Sequence, residues 1–266
     1  MQRIFIVGCP RSGTTLVQAM LARHPAVLTL PETAFFEHLC GDLKWRWGDR
    51  DARPQRRRLR QRLGFAHKRA YEALEKLQRR LPREAARRSW PLRTGTCVRR
   101  FVEMLDAHAQ AEGRVAWIEK TPYHLLYIPE IERHVPDARF VHVIRPGEDV
   151  LASIADANLR YENNNAFGGG TVHWSRRWNR AAQIHRAHAR RPHHHFVFLD
   201  DLIRDMSCEW RRLCAFLHLD AAAELDASCD QLIADLGSEP WKREAVSGLP
   251  GHARRKAESM FGPQVR

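Results

Sequence analysis

The sequence predicts a three-layer α/β fold in which helices flank a central, mainly parallel sheet. Short apolar runs alternate with longer amphipathic stretches along most of the 266 residues, which is typical of strands that alternate with helices. A glycine-rich loop joins the first apolar run to the first amphipathic stretch. Charged residues follow several of the runs, as they do where parallel strands end at a binding edge. We expect residues 1–266 to form a single domain.

The first element is an apolar run at residues 4–7, which predicts a strand, and an amphipathic stretch from Leu16 predicts the helix that follows it. The loop between them holds an anion through consecutive backbone N–H groups and the positive end of the helix. We therefore predict a P-loop-type fold with a phosphate site at this loop. The residues expected to bind there are Gly8, Cys9, Pro10, Arg11, Ser12, Gly13, Thr14 and Thr15.

This loop departs from the nucleotide motif Gly-x-x-x-x-Gly-Lys-Ser/Thr at one position, because Thr14 stands where that motif has lysine. Arg11 supplies the positive charge instead, and its planar fork of donors suits the oxygens of a phosphosulfate. The departure argues against ATP. The run Phe-Val-Phe-Leu-Asp at residues 196–200 resembles the magnesium-binding strand of ATP-using enzymes, so a nucleotide-dependent kinase is an alternative.

The region from about residue 41 to 113 is predicted to be a basic helical insertion. Residues 44–100 contain 20 Lys and Arg against five Asp and Glu, a surplus of +15 that exceeds the +13 of the whole chain. Apolar residues at spacings of three and four predict one long helix over residues 55–80. Its apolar stripe consists of Leu59, Leu63, Ala66, Ala70, Leu74 and Leu77.

The charge of this insertion leaves two interpretations open. A surplus of this size is typical of surfaces that attract polyanions, so a basic polyanion-binding protein is a second alternative function. A solvated helical surface explains the same charges equally well. We do not expect nucleic acid as a partner.

The remaining elements alternate as an α/β chain requires. Strands are predicted at residues 115–118, 140–144 and 195–199, and helices at 123–134, 147–161, 173–191 and 206–218. Ligands of parallel sheets bind beyond the carboxyl ends of the strands. Gly8, the pair Glu119-Lys120 and Arg145 all follow such ends, so we expect them to converge on one site.

Two motifs resemble the sulfotransferase family, whose members use 3'-phosphoadenosine 5'-phosphosulfate (PAPS). The loop 8–15 is similar to that family's 5'-phosphosulfate loop, and the run Val-Ile-Arg-Pro-Gly-Glu-Asp-Val-Leu-Ala-Ser at 143–153 to its 3'-phosphate site. Residues 11–32 and 119–122 look most like the tyrosylprotein sulfotransferases and related bacterial enzymes. The resemblance covers most of the chain and weakens between about residues 41 and 113. It implies that Arg145 and Ser153 bind the 3'-phosphate.

The resemblance also implies a catalytic set. Sulfuryl transfer needs a base for the hydroxyl proton of the acceptor and cations for the charge that develops on the leaving phosphate. Glu32 matches the catalytic glutamate of the tyrosylprotein branch, and nearby Arg11 and Lys120 would keep it ionised. Lys120 closes a predicted strand and is expected to meet the oxygen that bridges sulfur and phosphorus. Trp241 and Lys242 resemble the segment that closes over the nucleotide.

His124 is a second candidate for the base, because small-molecule sulfotransferases use histidine. Its position does not match theirs, however, and a histidine at the start of a helix more often packs or caps.

We therefore predict a PAPS-dependent sulfotransferase that acts by in-line transfer to an acceptor hydroxyl, with PAP as product and no metal. A carbohydrate, a lipid or another metabolite is expected as acceptor rather than protein tyrosine, and the basic insertion favours an anionic one. The six cysteines form no Cys-x-x-Cys pair, no apolar stretch reaches membrane-spanning length, and the first strand begins almost at Met1. These features predict a cytoplasmic protein.

Overall fold

A computed structural model describes residues 1–49, 63–80, 93–161, 167–225 and 256–260, together with Lys242 and Ala245. The strands are β1 (Gln2–Gly8), β2 (Val27–Thr29), β3 (Ala116–Lys120), β4 (Ala138–Ile144) and β5 (His194–Phe198). The helices are α1 (Thr14–Ala22), α2 (Phe35–Cys40), α3 (Leu43–Trp47), α4 (Arg69–Arg80), α5 (Thr94–Ala111), α6 (Ile128–His134), α7 (Gly147–Arg160), α8 (Gly170–His188), α9 (Leu199–Arg204), α10 (Met206–Leu217) and α11 (Lys256–Met260). A 3-10 helix, Pro122–Tyr127, precedes α6.

The strands form one sheet in the order β2-β3-β1-β4-β5, and every pair of neighbours is parallel. The predicted fold class is therefore confirmed. Because the strands are parallel, their carboxyl ends lie along the same edge, with β1 between β3 and β4. This arrangement brings the residues that follow β1, β3 and β4 to neighbouring positions, as the sequence predicted.

Successive strand residues point to opposite faces of the sheet. Helices cover both of these faces. On one face Phe5, Trp117 and Phe140 belong to a buried cluster that includes residues of α2, α5 and the 3-10 helix. On the other face Ile4 and Val141 pack in a second cluster with residues of α1 and α10. Two layers of helices thus enclose the sheet.

Strand β2 and the helix expected over 123–134 differ from the predictions. Strand β2 was not predicted, because its three residues are too short for an alternating pattern to be visible. The helix expected over 123–134 is divided into the 3-10 helix Pro122–Tyr127 and α6. Pro129, in the first turn of α6, has no N–H to donate to the preceding turn, so a continuous α-helix cannot form there.

The long helix predicted over 55–80 is confirmed over 69–80 and is wrong at 63–68. Residues 63–68 form a turn and an isolated antiparallel bridge between Phe65 and Arg93, and the helix begins only at Arg69. Gly64 has a φ of 80°, a left-handed conformation that ends regular structure. Leu63 is accordingly 63% exposed, whereas Leu74 is fully buried. Leu59 and the rest of 50–62 lie outside the described residues, as do residues 81–92.

The described helices of the insertion pack directly on the segment that follows Glu32. Ala70, Leu74 and Leu77 of α4 are buried in the same cluster as Phe35 of α2. The Phe35 ring stacks on Phe101 of α5 with 4.2 Å between centroids and an interplanar angle of 1°. The apolar stripe of the insertion therefore supports the wall of the sheet edge.

Two further observations concern the covalent state and the membrane. The five cysteines among the described residues are free. Within the same residues, no helix is both long and apolar enough to cross a membrane.

Candidate active site

The loop after β1 requires glycine at both ends. A Cβ atom on Gly8 would lie 2.6 Å from the backbone oxygen of Val143, because β1 and β4 approach closely there. Gly13 has a φ of 96°, and a Cβ atom on it would lie 2.9 Å from Leu199 Cδ1. Larger residues would move the loop away from β4 and α9, so the two glycines determine its shape.

The loop leads into a helix whose N-terminus suits an anion. Gly13 is the N-cap of α1 and makes no side-chain cap, and the first N–H groups of an α-helix have no acceptor within the helix itself. Arg11 has a φ of 69°, and left-handed residues of this kind turn successive N–H groups into an anion-binding concavity. The loop therefore fits the phosphosulfate group that the resemblance implies.

The two predicted halves of the donor site meet at Arg11. Its Nε donates to Ser153 Oγ at 3.1 Å, and Arg145 Nη1 donates to the Arg11 carbonyl oxygen at 3.4 Å. The Arg11 guanidinium also lies 5.7 Å from the centroid of the Phe167 ring. Arg145 and Ser153 are themselves buried. The positive charge of the loop thus lies beside the residues expected to hold the 3'-phosphate.

Glu32 lies between two lysines from distant parts of the chain. Lys120, at the end of β3, is fully buried, and its Nζ donates to Glu32 Oε1 and, at 3.3 Å, to Thr15 Oγ1 of α1. Lys242 Nζ donates to the same Oε1 at 2.5 Å. Both contacts fall on one oxygen of the carboxylate. The predicted base, the predicted catalytic lysine and the loop therefore form one contiguous group.

These lysines control the ionisation of Glu32. Burial alone raises the pKa of this carboxyl, but the charges and hydrogen bonds of Lys120 and Lys242 lower it by more, so the pKa lies below its ordinary value. Glu32 is consequently ionised at neutral pH. An ionised carboxylate is the form that can accept a proton.

Lys242 makes a contact that the sequence did not predict. The motif predicts that it closes over the nucleotide, which stays a prediction, and the structure adds a contact of its ammonium group with Glu32. Its neighbour Trp241 lies outside the described residues, so its expected contact with the nucleotide stays a prediction. No local pattern pairs Lys242 with Glu32, because 210 positions separate them in the chain.

His124, the second candidate base, is held in the core. It is fully buried, and its Nε2 accepts a hydrogen bond from the Phe36 N–H at 3.2 Å. Its Nδ1 lies 2.7 Å from Glu119 Oε2. Since both ring nitrogens face protein groups, the histidine packs and positions neighbours rather than meeting an acceptor.

Two features beside the site were not predicted. Burial, and then the charges of Glu32 and Glu119, raise the pKa of Glu37 to about 8, so this carboxyl is protonated at neutral pH. Arg177 Nη2 donates to Asp49 Oδ2 at 2.7 Å, and its guanidinium lies 4.9 Å from the Trp174 ring centroid. The Glu37 environment and the Arg177–Asp49 pair both depend on contacts between segments that are distant in sequence.

Cys9 lies in the loop, but its environment makes the thiol unreactive. Burial raises the pKa of its thiol to about 12, although the charge of Arg177 lowers it. The thiol is therefore protonated at neutral pH, and protonated thiols are poor nucleophiles. Its side chain serves the packing of the loop.

The described residues contain no group of three or more His, Cys, Asp and Glu side chains that could hold a metal ion. The histidines at 193–195 do not all face the same side, because neighbouring residues of an extended chain point in opposite directions. His194 is buried and His193 is exposed.

The fold and the site define a class of α/β proteins that carry a glycine-containing loop and an ionised carboxylate at the carboxyl edge of a parallel sheet. A family model described as the sulfotransferase family matches residues 3–223, so the chain belongs to the sulfotransferase family. The resemblance carried by the two motifs is thereby confirmed. The match favours sulfuryl transfer over the kinase alternative, and Asp200 lies in the first turn of helix α9, which begins at Leu199.

Among curated proteins, the chain is similar to a "putative protein-tyrosine sulfotransferase" of Caenorhabditis briggsae. The two are 25% identical over 166 residues, which is 59% of this chain and 44% of the relative. The alignment therefore spans less than half of the relative's length.

Two solved structures share the fold. A sulfotransferase from Alicyclobacillus acidocaldarius is 17% identical, with a TM-score of 0.52 over 98% of this chain and 96% of that chain. A sulfotransferase domain from the curacin biosynthetic pathway is 14% identical, with a TM-score of 0.51 over 97% of this chain and 95% of that chain. At these identities the similarity concerns the fold.

Proposed function

We propose that this protein transfers the sulfuryl group of PAPS to a hydroxyl of an acceptor and releases PAP. The observation that carries the proposal is the contact of Glu32 with buried Lys120, directly beside the loop at the end of β1. One group thus combines an ionised base, a cation and an anion loop. Membership of the sulfotransferase family supports the same reaction.

The donor is proposed to bind across the ends of β1 and β4. The loop 8–15 and the uncapped start of α1 suit the 5'-phosphosulfate. Arg145 and Ser153 are assigned to the 3'-phosphate, and Arg11, which contacts both, links the two subsites. A 3'-phosphate distinguishes PAPS from ATP, so Arg145 and Ser153 determine which nucleotide is accepted.

The reaction is proposed to be an in-line displacement. Glu32 takes the proton of the acceptor hydroxyl on Oε2, since both lysines contact Oε1. The acceptor oxygen forms a bond to sulfur while the bond from sulfur to the bridging oxygen breaks, and its electron pair stays on the phosphate of PAP. Lys120 and Arg11 stabilise that developing charge.

We propose a carbohydrate, a lipid or another metabolite as acceptor. The resemblance of residues 11–32 and 119–122 to the tyrosylprotein branch supports the assignment of Glu32, but donor site and base are shared by enzymes that act on different hydroxyls. Labelled PAPS with an extract of the host, separated into protein and small-molecule fractions, tests this choice. Label confined to protein tyrosine would contradict it.

Donor binding is tested by calorimetry with PAP in the absence of metal. Arg145→Ala should weaken PAP binding about 10–100-fold, because charged hydrogen bonds to phosphate contribute ~1.5–3 kcal/mol each. Arg139→Ala is the matched control, since Arg139 lies on β4, the strand that Arg145 follows, and donates to the Phe216 carbonyl instead. Binding of ATP with magnesium, together with no binding of PAP, would refute the proposal.

The base is tested separately. Glu32→Gln should keep PAP affinity but lower transfer about 10²–10⁴-fold, because the amide cannot accept the proton. Normal turnover of this variant would remove Glu32 from its role.

A further inference from the structure

Glu119 is a buried carboxylate that the proposed reaction does not use. It is 1% exposed and lies next to Lys120 at the end of β3. Consecutive residues of a strand point to opposite faces of the sheet, so Lys120 reaches Glu32 from one side while Glu119 faces the other. An unpaired buried charge is costly. The groups that hydrogen-bond to Glu119 therefore show which part of the structure it fixes.

Those partners belong to the segment that carries Glu32. Glu119 Oε1 accepts from Thr33 Oγ1 at 2.8 Å and from the Thr33 N–H at 3.2 Å. Thr121 Oγ1 donates to the same oxygen at 2.7 Å and accepts from the Ala34 N–H at 3.2 Å. The residue after Glu32 and the one beyond it are thus tied to the end of β3.

The turn that is held in this way is strained. Ala34 has a φ of 49°, a left-handed conformation that residues with a Cβ rarely adopt. At the second residue of α2, the Phe36 N–H donates to His124 Nε2. The other ring nitrogen, His124 Nδ1, lies beside Glu119 Oε2. The strain at Ala34 persists because surrounding contacts determine the backbone.

The electrostatics agree with this geometry. Burial raises the pKa of Glu119, but His124 and the hydroxyls of Thr121 and Thr33 lower it by more, so its pKa lies below the ordinary value. The carboxylate is ionised, and hydrogen bonds to an ionised acceptor are stronger than neutral ones.

We propose that Glu119 is a positioning residue for the base: with Thr121 and His124 it forms a clamp on Thr33, Ala34 and Phe36 that orients the Glu32 carboxylate. This inference rests on the proposed function, because it assigns Glu32 as the base. Lys120 contacts the carboxylate itself, whereas the Glu119 clamp fixes the backbone next to it. One strand end thus determines both the charge and the position of the base.

The test uses the full chain and sulfuryl transfer from PAPS to water, followed as PAP release, so that no acceptor is needed. Glu119→Gln should lower kcat about 10–100-fold, because small displacements of a reacting group have effects of this size. PAP affinity should change by less than about twofold, since no donor-site residue is altered. Asp106→Asn is the matched control, because Asp106 accepts from Trp117 near the opposite end of β3.

Thr121→Val covers the case in which Glu119→Gln does not fold. It should lower kcat about tenfold, and Thr121→Ser, which restores the hydroxyl, should return kcat to within about threefold of the natural protein. Hydrogen exchange in the peptide 31–36 should become at least about tenfold faster in both variants. In Glu119→Gln the Thr33 amide keeps only a weaker, neutral acceptor, and in Thr121→Val the Ala34 amide loses its acceptor.

The outcomes separate this inference from the proposed function. Folded Glu119→Gln and Thr121→Val variants with unchanged kcat or unchanged exchange at 31–36 would overturn the clamp. Equal losses in PAP affinity and kcat would also overturn it, because the residue would then act on the donor site. Absence of PAP binding and turnover in the natural protein would refute the proposed function itself.

Discussion

Two lysines share a single oxygen of Glu32, and they come from distant parts of the chain. Lys120 is rigid because it is fully buried at a strand end, and Lys242 approaches from the C-terminal part. Together they leave a net positive charge around the carboxylate. Such an excess suits a donor that brings several negative charges, and it also keeps the base ionised.

Removing Lys242 should therefore change the pH dependence of transfer. Lys242→Met takes away one charge that lowers the pKa of Glu32, so that pKa should rise. The base is then ionised only at higher pH, and the acid limb of the kcat/KM profile should move upward. The profile is measured as PAP release between pH 4 and 8, a range chosen around ordinary carboxyl values.

Lys256→Met is the control for this change. Lys256 also pairs with a carboxylate, Asp156 Oδ2 at 2.6 Å, but on helix α7 away from Glu32. Its removal should leave the acid limb in place. An unchanged limb in Lys242→Met would show that the contact seen in the structure does not govern the base.

At the scale of elements, the insertion is a support for the site. Helix α2 begins directly after the Glu32 segment, and its Phe35 stacks on Phe101 of α5 in the cluster that covers one face of the sheet. Helix α4 buries Leu74 in the same cluster. The apolar spacing in the sequence identified this stripe correctly from Ala66 onward but extended it through Leu63, because periodicity does not register the turn at Gly64.

This difference can be measured on two leucines of the predicted stripe. Leu74→Ala should lower the free energy of unfolding by ~2–5 kcal/mol, because it removes buried methyl groups and leaves a cavity. Leu63→Ala should change it by less than ~0.5 kcal/mol, since Leu63 is exposed. Urea denaturation of both variants provides the comparison. Equal losses of stability in the two variants would instead support the continuous helix predicted over 55–80.

At the scale of the whole molecule, a buried row of histidines joins strands and helices. His142 Nδ1 lies 2.9 Å from His185 Nδ1, and His142 Nε2 lies 2.8 Å from His194 Nδ1. His194 Nε2 lies 3.2 Å from Glu132 Oε1, which also accepts from Arg191. Neutral histidine rings can make all of these hydrogen bonds, because a neutral ring donates at one nitrogen and accepts at the other.

This row makes the fold sensitive to acid. Burial lowers the pKa of His185 and His194 to about 4, assisted in both by the charge of His188, and holds that of His142 well below its usual value. Hydrogen bonding to Glu132 opposes the shift at His194 without cancelling it. The unfolded chain takes up these protons near pH 6.5, so stability is complete above that value and is lost as the pH falls toward 4.

His142→Gln should reduce this loss, because glutamine can donate and accept but does not titrate. The free energy of unfolding should therefore fall less between pH 7 and pH 5 in this variant than in the natural protein, by urea denaturation at both values. His193→Gln, at an exposed position, should retain the natural loss. Identical losses in all three proteins would contradict the assignment.

Local pattern determined much of this protein. The loop 8–15 was visible because glycines at fixed spacing serve a tight turn, and the apolar runs located four of the five strands. Parallel topology then placed Gly8, Lys120 and Arg145 at one edge, since alternating strands and helices require that arrangement. The family motifs added Glu32 and Ser153, which the structure brings to the same edge.

Tertiary structure alone decided how these residues act on one another. The contact of Lys242 with Glu32 spans 210 positions, and the bond between Thr33 and Glu119 spans 86. Neither leaves a periodic trace, because it depends on where separate elements pack and on which face a strand residue points. The sequence by itself therefore determined the fold, the loop and the candidate base. Only the packing of distant segments decided the charge of that base, its orientation and the burial of the histidine row.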